Sequence, residues 1–293
     1  YHFYTIWLFA YEQLFDTTIP CTIFGITGAL SGKTLGFPSL PQAEILLHIP
    51  LVVIWLWILS LQFSLHNQRH PHSINEDSYN KPWRPLPSER ITISGTNSIL
   101  HFLYPIAGSL SYWLELLPHF GIFTILVIVY NDFGGSDHSG ISRNILSGVI
   151  YACLLTGALQ VAIGSENSLI NGAYQWVRVI VLVFITTLHM TEFRDERGNR
   201  ARGRRTIINV VGIRFARCTI AVGVIFWSFF APLMLGIEWK GMIVPATLGG
   251  TVVGLIMIGM ARNNTRLDGF LYKVYSIWIL SLCPLPLVKS WTG

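Results

Sequence analysis

Residues 45–65 read ILLHIPLVVIWLWILSLQFSL. The run carries no lysine, arginine, aspartate or glutamate and is as long as the roughly 20 residues that carry a helix across the hydrocarbon core of a bilayer. It mixes β-branched, aromatic and leucine side chains without the alternation of a membrane strand, so a transmembrane helix is the reading, not a β-barrel segment.

The pattern recurs. Windows at 144–163, 170–190, 218–237, 241–260 and 270–288 are similarly long and poor in charge. Three further spans are predicted at about 12–31, interrupted by Thr, Gly and Pro that membrane helices tolerate, at 94–114 and at 117–131. The expectation is an all-α polytopic membrane protein of nine transmembrane helices forming one domain over residues 1–293. Nine spans of about 22 residues leave roughly 95 for loops and ends, too few for a soluble domain. Composition agrees: of 293 residues 52% are hydrophobic and 12% charged, against about 25% charged in soluble domains.

Nine spans put the loops at 67–90, 132–143, 191–206 and 262–269 on one side. These hold thirteen of the 20 basic residues, whereas the opposite loops hold only Lys33 and Lys240. The positive-inside rule makes the first set cytoplasmic. The net charge of +5 is therefore a topology signal, and a nucleic-acid partner is not expected. Cys21, Cys153, Cys218 and Cys283 form no CxxC pair, so neither a zinc site nor a disulfide framework is suggested. The chain starts at Tyr1 with no charged n-region or cleavage pattern of a signal peptide.

Two of the basic-side loops carry acids embedded among basic residues, each abutting a span. Immediately after the opening span comes NQRHPHSINEDSYNKPWRPLP, residues 67–87, with Glu76, Asp77 and Asn80 preceded by Asn67 and Gln68; His70 and His72 read as spacers. The second loop is TEFRDERGNRARGRRTIINVVG, residues 191–212. If the preceding helix continues through it, Glu192, Asp195, Glu196 and Asn199 share a face or adjacent faces at spacings of three and four. Mg2+ takes oxygen ligands, commonly one or two carboxylates together with substrate phosphates. Two acidic loops on one side of a bundle can therefore clamp a diphosphate through metal ions. Lys81, Arg84, Arg143, Arg194, Arg202, Arg204 and Arg205 are donors for its oxygens, although arginines at such a face also anchor to lipid headgroups.

These two loops resemble the paired acidic signatures of the UbiA superfamily of intramembrane prenyltransferases. Asn80 to Pro87 reproduce the NKPxRPxP tail of its first motif, and Asp195, Gly198, Gly203 and Thr206 match its second, with Asn199 and Ile208 departing from Asp and Pro. The departures, together with Tyr130, Asn131 and Asp132, the Arg143–Asn144 pair and the EFRDxxGxRxxGRRT run, are similar to the fungal UbiA-type membrane terpene cyclases.

The resemblance implies a nine-helix bundle around a central prenyl diphosphate cavity and a Mg2+-dependent reaction. Farnesyl diphosphate would be ionised and cyclised to a bergamotene-like sesquiterpene, with catalytic Glu76, Asp77, Glu192 and Asp195 holding the metal and Asn67 and Asn199 assisting. The substrate clamp it implies comprises Asn67, Lys81, Arg84, Tyr130, Asp132, Arg143, Asn144, Arg204, Arg205 and Lys273. Trp57, Phe63, Tyr130 and Phe133 are the aromatic candidates for steadying a carbocation. The competing expectation is transfer of the prenyl group to an aromatic or other acceptor; a transporter, which would show internal repeats and mid-bilayer charge, fits less well. An endoplasmic reticulum location with active-site loops in the cytosol, no protein partner and the bilayer as setting complete the expectations.

Overall fold

A computed structural model describes residues 1–262 and 266–292, and among them every regular element is a helix. The predicted loop at 262–269 thus falls partly outside the described residues. The chain opens with α1 (His2–Gln13), passes through a π-helical turn at Leu14–Thr18 and continues as α2 (Ile19–Ser31). Helix α3 (Ile49–Gln68) contains most of the 45–65 run, and a short helix Gln42–Leu47 precedes it; Pro50 lies in its first turn, where a missing N–H costs nothing.

The polar stretch after α3 is itself helical. Pro71 opens α4 (Pro71–Asn80), which ends as the chain reaches Lys81-Pro82. Then follow α5 (Ile93–Trp113), whose N-cap Thr92 accepts a hydrogen bond from the Gly95 amide, and α6 (Leu117–Asn131). A reciprocal Ser139–Ser142 capping box starts α7 (Gly140–Ile163), and α8 (Asn171–Thr187) runs into the second acidic loop. That loop holds α9 (Glu196–Arg202) before α10 (Ile213–Met234), α11 (Trp239–Arg262), α12 (Arg266–Leu282) and α13 (Leu285–Thr292).

Helices occupy all nine predicted windows. By length and apolarity, five among the described residues can cross a membrane: Gln42–Gln68, Gly140–Ile163, Asn171–Arg194, Ile213–Met234 and Trp239–Ala261. A sixth is counted if Leu267–Leu282 and Leu285–Trp291 form one span bent by 43°, a bend that falls at Pro284. Outward faces carry Phe102, Ile125, Phe229, Leu233 and Met257, all exposed. That belt suits lipid, not water.

Glycines let the inner helices meet backbone to backbone. A Cβ on Gly25 would lie 2.7 Å from the Ala158 carbonyl oxygen, so α2 and α7 can touch only without it; Gly157 gives way to the Trp55 ring in the same manner. Gly25→Ala is therefore expected to destabilise the bundle by about 1–3 kcal/mol, the usual cost of overpacking. Thermal unfolding in detergent would register the loss, and an unchanged midpoint would show that α2 and α7 can part freely.

The interior also buries an ion pair. Arg217 on α10 reaches Asp268 on α12 at 2.7 Å, with its guanidinium over the Phe193 ring. A charge inside a bundle persists only when so paired.

Candidate active site

One cavity of about 190 Å3 joins the two acidic loops to the middle of the bundle. At its mouth stand Glu12, Asp16, Glu76, Asp77 and Asp195, matched by Lys81, Arg84, Arg143, Arg194 and Arg204. Its floor is Phe63, Phe123, Tyr130, Tyr151, Phe184, Tyr272 and Tyr275 with Ile150, Leu154 and Ile279. The 1:1 balance of charge at the mouth and the rings beneath it define an amphipathic socket.

The loops are joined by Asn80. Its amide nitrogen donates to the Asp195 carbonyl at 3.1 Å, and its carbonyl oxygen accepts from the Gly198 amide at 3.1 Å. A Cβ on Gly198 would sit 2.2 Å from that amide nitrogen, so only glycine lets α9 lie this close to α4. The contact also explains a departure from expectation: the helix entering the second loop does not run on. It stops after Thr191–Arg194, Asp195 takes φ −103° and ψ 12°, and α9 restarts beyond it.

That break separates the three acids and Asn199 expected on one face or adjacent faces. Asp195 lines the cavity; Glu192 and Asn199 are buried away from it. Glu192 accepts the Ile208 amide at 3.2 Å, capping the turn Ile207–Val211, and stands 3.8 Å from Arg143. Asn199 receives a long contact of 3.4 Å from Arg204. Both serve to position arginines.

In the first loop Arg84 grips both oxygens of Asp77 at 2.9 Å and also pairs with Glu12. Lys81 lies 3.2 Å from Glu12 and 3.9 Å from Asp195. Burial pushes the Asp77 carboxyl up despite the lowering pull of Arg84. Burial acts on Asp195 in the same sense, yet Lys81 and Arg194 outweigh it and hold that carboxyl below the usual range. Glu76 is held by Arg202 and Arg204, each at 3.1 Å, and both arginines are steadied from behind by Asp137 at 2.7 Å. Asp137, too, sits below its usual range, burial being overcome by these two guanidiniums.

The remaining expected residues divide. Asn67, Tyr130, Arg143 and Asn144 line the cavity. Asn67 donates its amide nitrogen to Asn131, leaving its carbonyl oxygen as the atom able to act as a ligand. Arg143 buries an Nη1 that makes no hydrogen bond, a donor suited to an anionic oxygen. Asn144 holds the Ile185 carbonyl.

Asp132, Arg205 and Lys273 do not reach the cavity. Asp132 ties together His66, Arg69 and His70 at 2.6–2.8 Å; burial pushes its carboxyl up, but Arg69 and His66 outweigh that and hold it low, and Arg69 also bonds Asn97. This knot fixes α3 to α5 and α6. Arg205 is exposed beside its buried neighbour Arg204, and Lys273 is exposed on α12, whose cavity-lining residues are Tyr272, Tyr275, Ser276 and Ile279. Of the aromatic candidates Phe63 and Tyr130 line the cavity, while Trp57 does not and Phe133 is exposed.

The oxygen donors fit Mg2+. Among the described residues no three carboxylates, histidines or cysteines converge on one point. Mg2+ needs no such cage, since one or two carboxylates with waters and substrate phosphates suffice, and Glu76, Asp77, Asp195 and Asn67 supply hard oxygens to one cavity.

The UbiA prenyltransferase family model matches residues 46–280. The chain is 25% identical to somaliensene A/B synthase of Streptomyces somaliensis, over 93% of this chain and 88% of that one. It is 27% identical to fumagillin beta-trans-bergamotene synthase of Aspergillus fumigatus, over 82% of this chain and 81% of that one. A UbiA homologue from Archaeoglobus fulgidus solved with DMAPP and Mg2+ superposes with a TM-score of 0.57 at 12% identity, covering 97% of this chain and all of the other. At that identity the likeness is one of fold.

Proposed function

Because this chain belongs to the UbiA prenyltransferase family, an integral membrane family, we propose that it is a terpene cyclase that ionises farnesyl diphosphate and closes the resulting carbocation into a sesquiterpene hydrocarbon. The observation that carries this reading is the single cavity in which a charged mouth opens onto a floor of seven aromatic rings. The likeness to a somaliensene A/B synthase and to a beta-trans-bergamotene synthase supports it.

In this reading the diphosphate lies at the mouth, where Lys81, Arg84, Arg143, Arg194 and Arg204 donate to its oxygens. Glu76, Asp77 and Asp195, with Asn67, would hold Mg2+, which when bound neutralises the leaving group as a Lewis acid. Donors fixed in place by Glu12, Asp137 and Glu192 need no reorganisation as charge builds on the departing oxygen, and such preorganisation is the main source of rate. The allylic carbon–oxygen bond breaks with its electrons leaving on the diphosphate. The cation then sits among Phe63, Phe123, Tyr130, Tyr151, Phe184, Tyr272 and Tyr275, whose faces each attract it by about 0.5–2 kcal/mol, until a distal double bond attacks it.

We place the protein in the endoplasmic reticulum membrane with nine spans and the mouth toward the cytosol, on the asymmetry of basic residues. Incubating the purified chain with farnesyl diphosphate and Mg2+ alone is expected to give a volatile cyclic hydrocarbon and free diphosphate. No turnover until an aromatic acceptor is added would overturn the cyclase in favour of prenyl transfer.

A further inference from the structure

A carbocation that has closed its ring must lose a proton to become a hydrocarbon, and the reading above leaves the acceptor unnamed. Five carboxylates line the cavity. Four are tightly engaged: Glu12 and Asp77 by Arg84, Glu76 by two arginines, and Asp195 by Arg194 with Lys81 beyond. Asp16 differs. Its closest cation, Arg194, is 3.8 Å away, and its side chain is 22% exposed against 7–16% for the other four. It is thus the most open and least neutralised carboxylate on the cavity wall.

Its position is equally particular. Asp16 lies one turn beyond Glu12, the residue that binds Lys81 and Arg84, and lines the cavity together with Tyr151 and Tyr272. It sits within the π-helical turn Leu14–Thr18, a distortion that recurs at functional sites because it re-aims side chains. Tyr151 stabilises that turn, donating its hydroxyl to the Asp16 carbonyl at 3.0 Å. Tyr272 lines the cavity beside Asp16, and the Arg194 guanidinium that neighbours the carboxylate covers the Tyr272 ring at 4.3 Å. A carboxylate whose nearest cation stands 3.8 Å away, beside rings that would steady a cation, has an oxygen to offer it.

We propose that Asp16 is the base that ends the reaction, with Tyr272 as its positioning residue; the proposal rests on the cyclase reading. A C–H bond next to the cationic carbon gives its electron pair to a new carbon–carbon double bond, and the proton passes to the Asp16 carboxylate. From there it leaves with solvent or the released diphosphate, so the net products are hydrocarbon and diphosphate. No oxidant or further reactant enters.

The test compares the full chain with Asp16→Asn, Asp16→Glu and Tyr272→Phe in detergent, with farnesyl diphosphate and Mg2+, measuring diphosphate release and the distribution of terpenes separately. The wild type is read first. If it needs an acceptor, the cyclase reading fails and this inference falls with it. If it makes hydrocarbon alone, Asp16→Asn is expected to keep ionising substrate while the share of its main cyclic hydrocarbon drops by about tenfold or more, the lower end of what a positioned base contributes. Water-quenched alcohols and acyclic olefins should replace it. Asp16→Glu should recover part of the native distribution, and Tyr272→Phe should shift it in the direction of Asp16→Asn. A merely structural role would lower all products in proportion. Native product ratios in Asp16→Asn, or, should that variant not fold, in Tyr272→Phe, would overturn the proposal and leave diphosphate as the base.

Discussion

Asp195→Ala is expected to lower diphosphate release by about 10²–10³-fold, the range seen when one preorganised electrostatic group is removed. Asp195 is the carboxylate at which the two loops meet: Arg194 lies 3.4 Å from it and Lys81 3.9 Å. Those cations hold its carboxyl below the usual range against its burial, which favours the anionic form that a metal ion or a clamp of cations needs. Asp195→Asn retains the shape and removes the charge, and should fall nearly as far. Activity within about threefold of wild type in Asp195→Asn, with diphosphate release as the readout, would remove Asp195 from the site.

Asn80→Ala is expected to cost about 10²-fold, the scale on which small misplacements are felt, although Asn80 need not touch substrate. Its side chain makes the two hydrogen bonds that hold α4 to the second loop, both to main-chain atoms. Asn80→Asp should be as damaging, because a carboxylate cannot donate to the Asp195 carbonyl and instead faces it. Thermal unfolding should move by only a few degrees, since most of the bundle's packing lies elsewhere. Full activity in Asn80→Ala would mean that the loops find their register without it.

The sequence made the membrane helices legible because lipid imposes a coarse requirement, about 20 apolar residues at a time, that survives any detail of packing. The predicted 117–131 and 94–114 windows lie within a residue of the helices α6 and α5, although neither is among the five long and apolar enough to cross a membrane. The first loop's Glu76, Asp77, Lys81 and Arg84 were legible for a different reason: a charged motif next to a span has few other uses. Glu192 and Asn199 were misplaced because their shared face assumed an unbroken helix. The break at Asp195 comes with the Asn80–Gly198 contact, more than a hundred residues apart in the chain, to which helical spacing is blind. Glu12, Asp16 and Asp137 went unremarked since a lone acid at the edge of an apolar run carries no sign of which way it points. Lys273 shows the same limit in reverse, an intramembrane cation that turns outward.

The matched charges of the mouth have a kinetic consequence. Each arginine or lysine that would bind a diphosphate already holds a carboxylate or borders one, so an incoming anion meets no bare positive field and must displace internal counterions one contact at a time. Long-range steering is then weak, and the rate of substrate capture should vary little with ionic strength, unlike that of proteins whose binding clefts present unbalanced charge. Discrimination among anions is left to the final geometry of the exchange, in which a singly charged phosphate ester offers too few oxygens to release all five cations, and a prenyl diphosphate offers enough.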